Sequence, residues 1–141
     1  MFKRLMKMKE DKKGFTLAEL LIVVAIIGVL VAISVPIFTA QLKKSTLATN
    51  QANARSAKAA AVTAYLEDST ILGGSYDAVT GKFTSAKAAP TTNVTDDPAS
   101  WTVTTASAFK TDLTAKTYKN ISIALGTGDT AGTVVGYAFS D

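Results

Sequence analysis

Lys12-Lys13-Gly14-Phe15-Thr16-Leu17-Ala18-Glu19 is the stretch on which the fold turns. A short basic segment stops at one glycine, and a long apolar run begins directly after it. Glu19 is the only charge near the start of that run, and none occurs from Leu20 to Leu42. At ~1.5 Å per residue, a helix from Phe15 to Phe38 spans roughly 36 Å, against roughly 30 Å of bilayer hydrocarbon. A carboxylate in such a segment costs on the order of 2.5–3.5 kcal/mol at mid-depth and less near the end. That cost makes Glu19 a candidate functional residue.

Working outward, charge separates the leader from everything after it. Residues 1–14 hold six basic side chains (Lys3, Arg4, Lys7, Lys9, Lys12, Lys13) against Glu10 and Asp11. Their net +4 is the whole net charge of the 141-residue chain, so the rest is balanced. Basic residues flanking a span stay cytoplasmic. The expected topology is therefore N-terminus inside and the bulk of the chain outside, and the basic pI is no sign of nucleic-acid binding. The sequence has neither Cys nor His. Disulfides, Cys/His zinc sites and Cys- or His-based nucleophile–base pairs are thereby excluded.

The junction resembles the class III leader of type IV prepilins, and the match extends from Lys12 to about Phe38. The resemblance implies cleavage between Gly14 and Phe15 and N-methylation of Phe15, both by a prepilin peptidase/N-methyltransferase. It implies that Glu19 pairs with the N-terminal amine of a neighbouring subunit. Pro36 sits where family members have a helix proline, and the stretch from Gly28 to Pro36 is the part expected to kink or melt on assembly. The implied protein is a type IV pilin of the type IVa-like kind, a structural subunit and not an enzyme. It would be a single-pass membrane protein before assembly and part of an extracellular surface filament afterwards, serving motility, adhesion or aggregation. Its partners would be further copies of itself, membrane lipid, and an assembly platform with its ATPase. A pseudopilin of a type II secretion or competence DNA-uptake system shares the same leader and is the alternative. Many pilins carry a C-terminal disulfide, which this chain cannot form.

Composition divides the chain into a leader at 1–14, which the resemblance implies is cleaved, a membrane-spanning half-helix at 15–38, and a head at 39–141. The helix is expected to continue to about Glu67, because alanines are dense from Ala48 to Ala64 and no Gly or Pro intervenes between Pro36 and Gly73. Its core-facing stripe is read as Ala48, Ala52, Ala59, Val62 and Leu66. Gly73-Gly74 is read as the end of the helical region. Residues 75–100 read as a long loop with a short hairpin around Thr80-Gly81. Strands are predicted at Trp101–Thr105, Tyr118–Leu125 and Thr133–Phe139, with 106–116 ambiguous. The predicted class is α+β, a small antiparallel sheet packed on the second half of the helix.

Each candidate residue also has a plainer reading. Glu19 could simply satisfy the helix N-terminus and its macrodipole. Gly14 could be an ordinary helix breaker, although only glycine admits close backbone approach by a protease. An ordinary secretory cut after Ala32-Ile33-Ser34 conflicts with Glu19 in the apolar run and with the adjacent Pro36. Pro36 removes one donor and crowds the Ala32 carbonyl, a tolerated feature of membrane helices. Gly126-Thr127-Gly128 reads as a turn between strands, not a nucleotide loop. Asp129 and Asp96-Asp97 are too few carboxylates for a calcium site. Trp101 is assigned to the head core. No catalytic residue, metal site or cofactor is predicted.

Overall fold

The computed structural model describes Gly14 and residues 16–92, 95–108 and 112–141. The chain falls into two compact units, one ending at Ala40 and the other running from Gln41 to Asp141. Helix α1 covers Leu17–Glu67, 51 residues with Pro36 inside it. Strands β1 (Gly73–Asp77) and β2 (Lys82–Ala86) follow. A 3-10 turn at Pro98–Ser100 leads to the short helix α2, Val103–Ala108. Strands β3 (Asn120–Leu125) and β4 (Val134–Ser140) complete a four-stranded antiparallel sheet in the order β2-β1-β3-β4. The architecture is α+β, with one long N-terminal helix and a small antiparallel sheet, as the sequence led us to expect.

The second half of α1 packs on this sheet through Leu47, Asn50, Ala54, Ala57 and Ala61. These positions alternate spacings of three and four, so they form one stripe down the helix. The alanines end at Cβ, which leaves room for large side chains from the strands. Ile121, Ile123, Tyr137 and Phe139 fill it, with Trp101 and Leu113 in the same core. The expected stripe lies on the wrong face. Ala48, Ala52, Ala59 and Leu66 are exposed, Leu66 by 78%, and Val62 is half-buried. Alanine occurs on every face of this helix and gives no contrast, while the true stripe is disguised by the polar Asn50.

Asn50 is fully buried and fully bonded. Its Nδ2 donates to the carbonyls of Leu113 (2.8 Å) and Lys116 (2.9 Å), and its Oδ1 accepts from the Tyr118 N–H at 3.0 Å. The next residue, Gln51, donates from Nε2 to the carbonyls of Pro98 (2.8 Å) and Trp101 (2.9 Å). Two adjacent amides therefore tie the irregular segments to the helix where no strand hydrogen bonds are available.

Several other expectations need correction. The helix ends at Glu67 as expected, but Gly73-Gly74 open β1 instead of closing the helical region. The helix closes at an Asx turn, where the Asp68 carboxylate accepts from the Thr70 N–H (2.9 Å) and hydroxyl (2.7 Å). The hairpin around Thr80-Gly81 is present, but its strands take up residues 73–77 and 82–86, so much of the expected loop is sheet. Trp101–Thr105 is not a strand. Thr102 and Thr105 cap reciprocally, N–H to hydroxyl at 2.8 and 3.4 Å, and start α2 instead. A run of β-branched threonines hid a capping motif. The strands at 120–125 and 134–140, the Gly126–Gly128 turn between them and the buried Trp101 match expectation.

Candidate functional site

The candidate site is the first unit, which carries the residues singled out at the basic–apolar junction. Gly14 is exposed with φ +54°, a left-handed conformation that L side chains rarely adopt, and a Cβ added there would meet nothing within 4 Å. Phe15 lies outside the described residues. Thr16 then begins the helix with a reciprocal capping box. The Thr16 N–H donates to Glu19 Oε2 at 2.9 Å, and the Glu19 N–H donates to the Thr16 hydroxyl at 3.3 Å. Two backbone donors that the first helical turn would leave orphaned are satisfied this way.

Glu19 thus performs its plainer role within the single chain, using one carboxylate oxygen. Oε1 has no partner among the described residues. The capping box leaves that oxygen available to an external cation while holding the side chain at the helix start. The sequence signal for this arrangement was Thr16-Leu17-Ala18-Glu19, a pairing our reading of Glu19 alone did not name.

From Leu17 to Ser45 every residue of α1 is exposed, so none of the described residues covers the apolar half. Leu21, Val24, Leu30 and Phe38 are each more than half exposed. By length and composition α1 can cross a membrane. Its few hydroxyls are satisfied internally. Ser34 Oγ donates to the Leu30 carbonyl (2.6 Å) and Thr39 Oγ1 to the Val35 carbonyl (2.9 Å), on either side of Pro36. Local bonds of this type allow hydroxyls to sit in hydrocarbon. Gly28 and Pro36 both lie inside the unbroken helix. Pro36 has no N–H to offer the Ala32 carbonyl, and Gly28 has no side chain to pack.

The head offers no comparable grouping. No cluster of three or more metal-ligating side chains occurs among the described residues. Asp68, Asp77, Asp97 and Asp112 each turn back on backbone N–H groups two residues ahead, at 2.8–3.0 Å. These bonds, with those from the Thr70, Thr80 and Thr114 hydroxyls, hold the four carboxyls below the usual carboxylate range. Asp97 is engaged further by Lys58 at 3.1 Å. These aspartates build turns, and the sequence pattern Asp-x-Thr marks two of them.

Residues 11–35 match the prokaryotic N-terminal methylation motif. That span contains Gly14, Phe15, Glu19 and Gly28, and it stops one residue short of Pro36. No curated protein and no solved structure matches the chain.

Proposed function

We propose that this chain, which bears the class III leader of type IV pilins and pseudopilins, is a structural subunit of a type IV pilus. The observation that carries the reading is the junction itself: an exposed Gly14, a capped Glu19 and an uncovered apolar helix in direct succession. A prepilin peptidase/N-methyltransferase cleaves after Gly14 and methylates the Phe15 amine. The monomer then resides in the membrane as a single-pass protein, N-terminus inside, with lipid covering α1.

Assembly exchanges lipid for protein around that helix. Against water, burial of apolar surface is worth roughly 25 cal/mol per Å², so the helix cannot remain bare. Against lipid the gain is small, which fits a pathway driven by a cytoplasmic ATPase at an assembly platform. Glu19 of an incoming subunit neutralises the Phe15 amine of a neighbour, through the carboxylate oxygen the capping box leaves open. The segment from Gly28 to Pro36 gives way as the helix leaves the bilayer. The role is structural and not enzymatic, and the filament serves motility, adhesion or aggregation.

Mass spectrometry of sheared surface fibres tests this reading. The chain should be abundant, begin at Phe15 and carry one methyl on its amine. Absence from the fibres, with the processed chain retained in the membrane, would point instead to a pseudopilin of a secretion or DNA-uptake system.

A further inference from the structure

One row of small residues crosses the sheet on the face turned away from α1. The register places Ala86, Gly73, Ala124 and Gly136 side by side across β2, β1, β3 and β4. Side chains alternate between faces along a strand, so Ile121, Ile123, Tyr137 and Phe139 face the helix and this row faces outward. Outward positions on a four-stranded sheet should be wet. Ser122 and Ala138, in the next outward row, are half-buried. Gly73, Ala124 and Gly136 are nevertheless buried, Ala124 to 5% exposure.

What covers them is the segment Lys87–Thr92. A Cβ placed on Gly73 would meet Pro90 Cδ at 2.6 Å, and one placed on Gly136 would meet the Thr92 hydroxyl at 2.3 Å and its Cβ at 2.9 Å. The segment therefore lies in a trough three strands wide, with Pro90 over β1 and Thr92 over β4 on either side of β3. It leaves β2 beside the Lys87–Asp68 pair at 4.0 Å. Further along, Asp97 is held by Lys58, and Pro98 by the Gln51 amide.

We propose that Lys87–Thr92 is a strap that locks β4 onto the sheet, in a chain that has no cysteine with which to staple it. β4 needs such a device because among the described residues it pairs only with β3, which leaves its other edge without a strand there. Its far end is held separately, by the Lys116–Asp141 ion pair and by Asn120 Nδ2 donating to the Asp141 carbonyl at 2.9 Å. The strap holds the near end, where Gly136 follows a register irregularity between Ala124 and Leu125. At Gly136 a side chain would displace Thr92 of the strap, whereas at Gly73 the Ile123 carbonyl oxygen, 2.2 Å from an added Cβ, stands in the way before Pro90 does.

The test is hydrogen exchange on the full chain in detergent, comparing wild type, Thr92→Gly, Gly136→Ala and the double variant. Thr92→Gly removes a contact without adding bulk. It should speed exchange in residues 134–140, and in the β3 amides bonded to them, about tenfold or more, with residues 74–77 of β1 unchanged, since local opening precedes global unfolding. Gly136→Ala should loosen both 87–92 and 134–140. In the double variant the alanine should add nothing to the effect of Thr92→Gly, because all three nearest atoms to the new Cβ belong to Thr92. Two results overturn the strap: β4 exchange within about twofold of wild type in Thr92→Gly, or a Gly136→Ala effect of equal size with and without Thr92. Should Gly136→Ala fail to fold, the Thr92→Gly result decides alone.

Discussion

The Asn50 side-chain oxygen accepts the backbone N–H of Tyr118 at 3.0 Å, across 68 residues of sequence. The same carboxamide gives both Nδ2 hydrogens to the carbonyls of Leu113 and Lys116. A buried amide with three good partners is a clamp, and its removal leaves three backbone groups unpaired. Asn50→Leu should destabilise the head by on the order of 3 kcal/mol, since each buried unsatisfied group costs ~1–3 kcal/mol with some relaxation. Denaturant unfolding monitored by Trp101 fluorescence measures this. An unchanged midpoint would mean that the strands alone position residues 113–118.

Processing gives a second expectation. Gly14→Val should leave an uncleaved precursor in the membrane, because a β-branched side chain disfavours the left-handed conformation seen at Gly14 and blocks close approach. N-terminal sequencing of wild type that found Val35 first would replace this reading with an ordinary secretory cut.

Glu19 and Thr16 can be separated. Glu19→Ala should be processed and inserted normally yet form few or no fibres, because an unpaired charge in a filament core costs on the order of 3–5 kcal/mol at every subunit. Glu19→Gln should be intermediate. Thr16→Ala breaks the same capping box at a cost of ~1 kcal/mol but keeps the carboxylate. It should assemble nearly normally. Equal fibre loss in Thr16→Ala and Glu19→Ala, counted by electron microscopy, would reduce Glu19 to a helix cap.

Acid and alkali should act on different parts of the head. Asp68, Asp77, Asp97 and Asp112 have folded values below the unfolded one, each chiefly through Thr or backbone hydrogen bonds. Their contribution is fully present above the unfolded carboxylate value of ~3.9 and is lost as pH falls through the lower folded values. Thermal stability should hold from neutrality to about pH 5 and fall below about pH 4. Burial pushes the Tyr137 hydroxyl up to about 12 from its ordinary 10, with the Asp97 charge adding to it. That contribution is present below 10 and lost as pH rises towards 12. Tyr137→Phe should blunt the alkaline loss and leave the acid limb unchanged. A pH–melting curve with no difference between the two proteins would contradict the assignment.

Deleting residues 1–40 should yield a soluble monomer whose formal net charge falls from +4 to +1. The buried core begins at Leu47, so the cut removes none of it, while the long apolar surface and the leader charge go. Sedimentation of the purified fragment checks this, and persistent insolubility after refolding would show that the head depends on α1 upstream of Gln41.

The sequence by itself determined the parts whose physics is local or one-dimensional. A charge-free run next to a basic leader needs no tertiary partner to be recognised. Neither does an alanine-rich helix without Gly or Pro, nor the two C-terminal strands with their glycine turn. Tertiary structure decided everything that depends on which face meets which. The buried stripe runs through Asn50 because Leu113, Lys116 and Tyr118 lie opposite it, and a polar residue among alanines announces no such partner. Gly73 reads as the end of the helical region, and Gly136 is an unremarked position of the last strand, until the register sets them in one row beneath Pro90 and Thr92. Thr102–Thr105 chose helix over strand because two side chains could cap each other. In each case the deciding contact is a hydrogen bond or a steric fit. Local propensity cannot report such fits, because the partner sits elsewhere in the chain or on the other side of a turn.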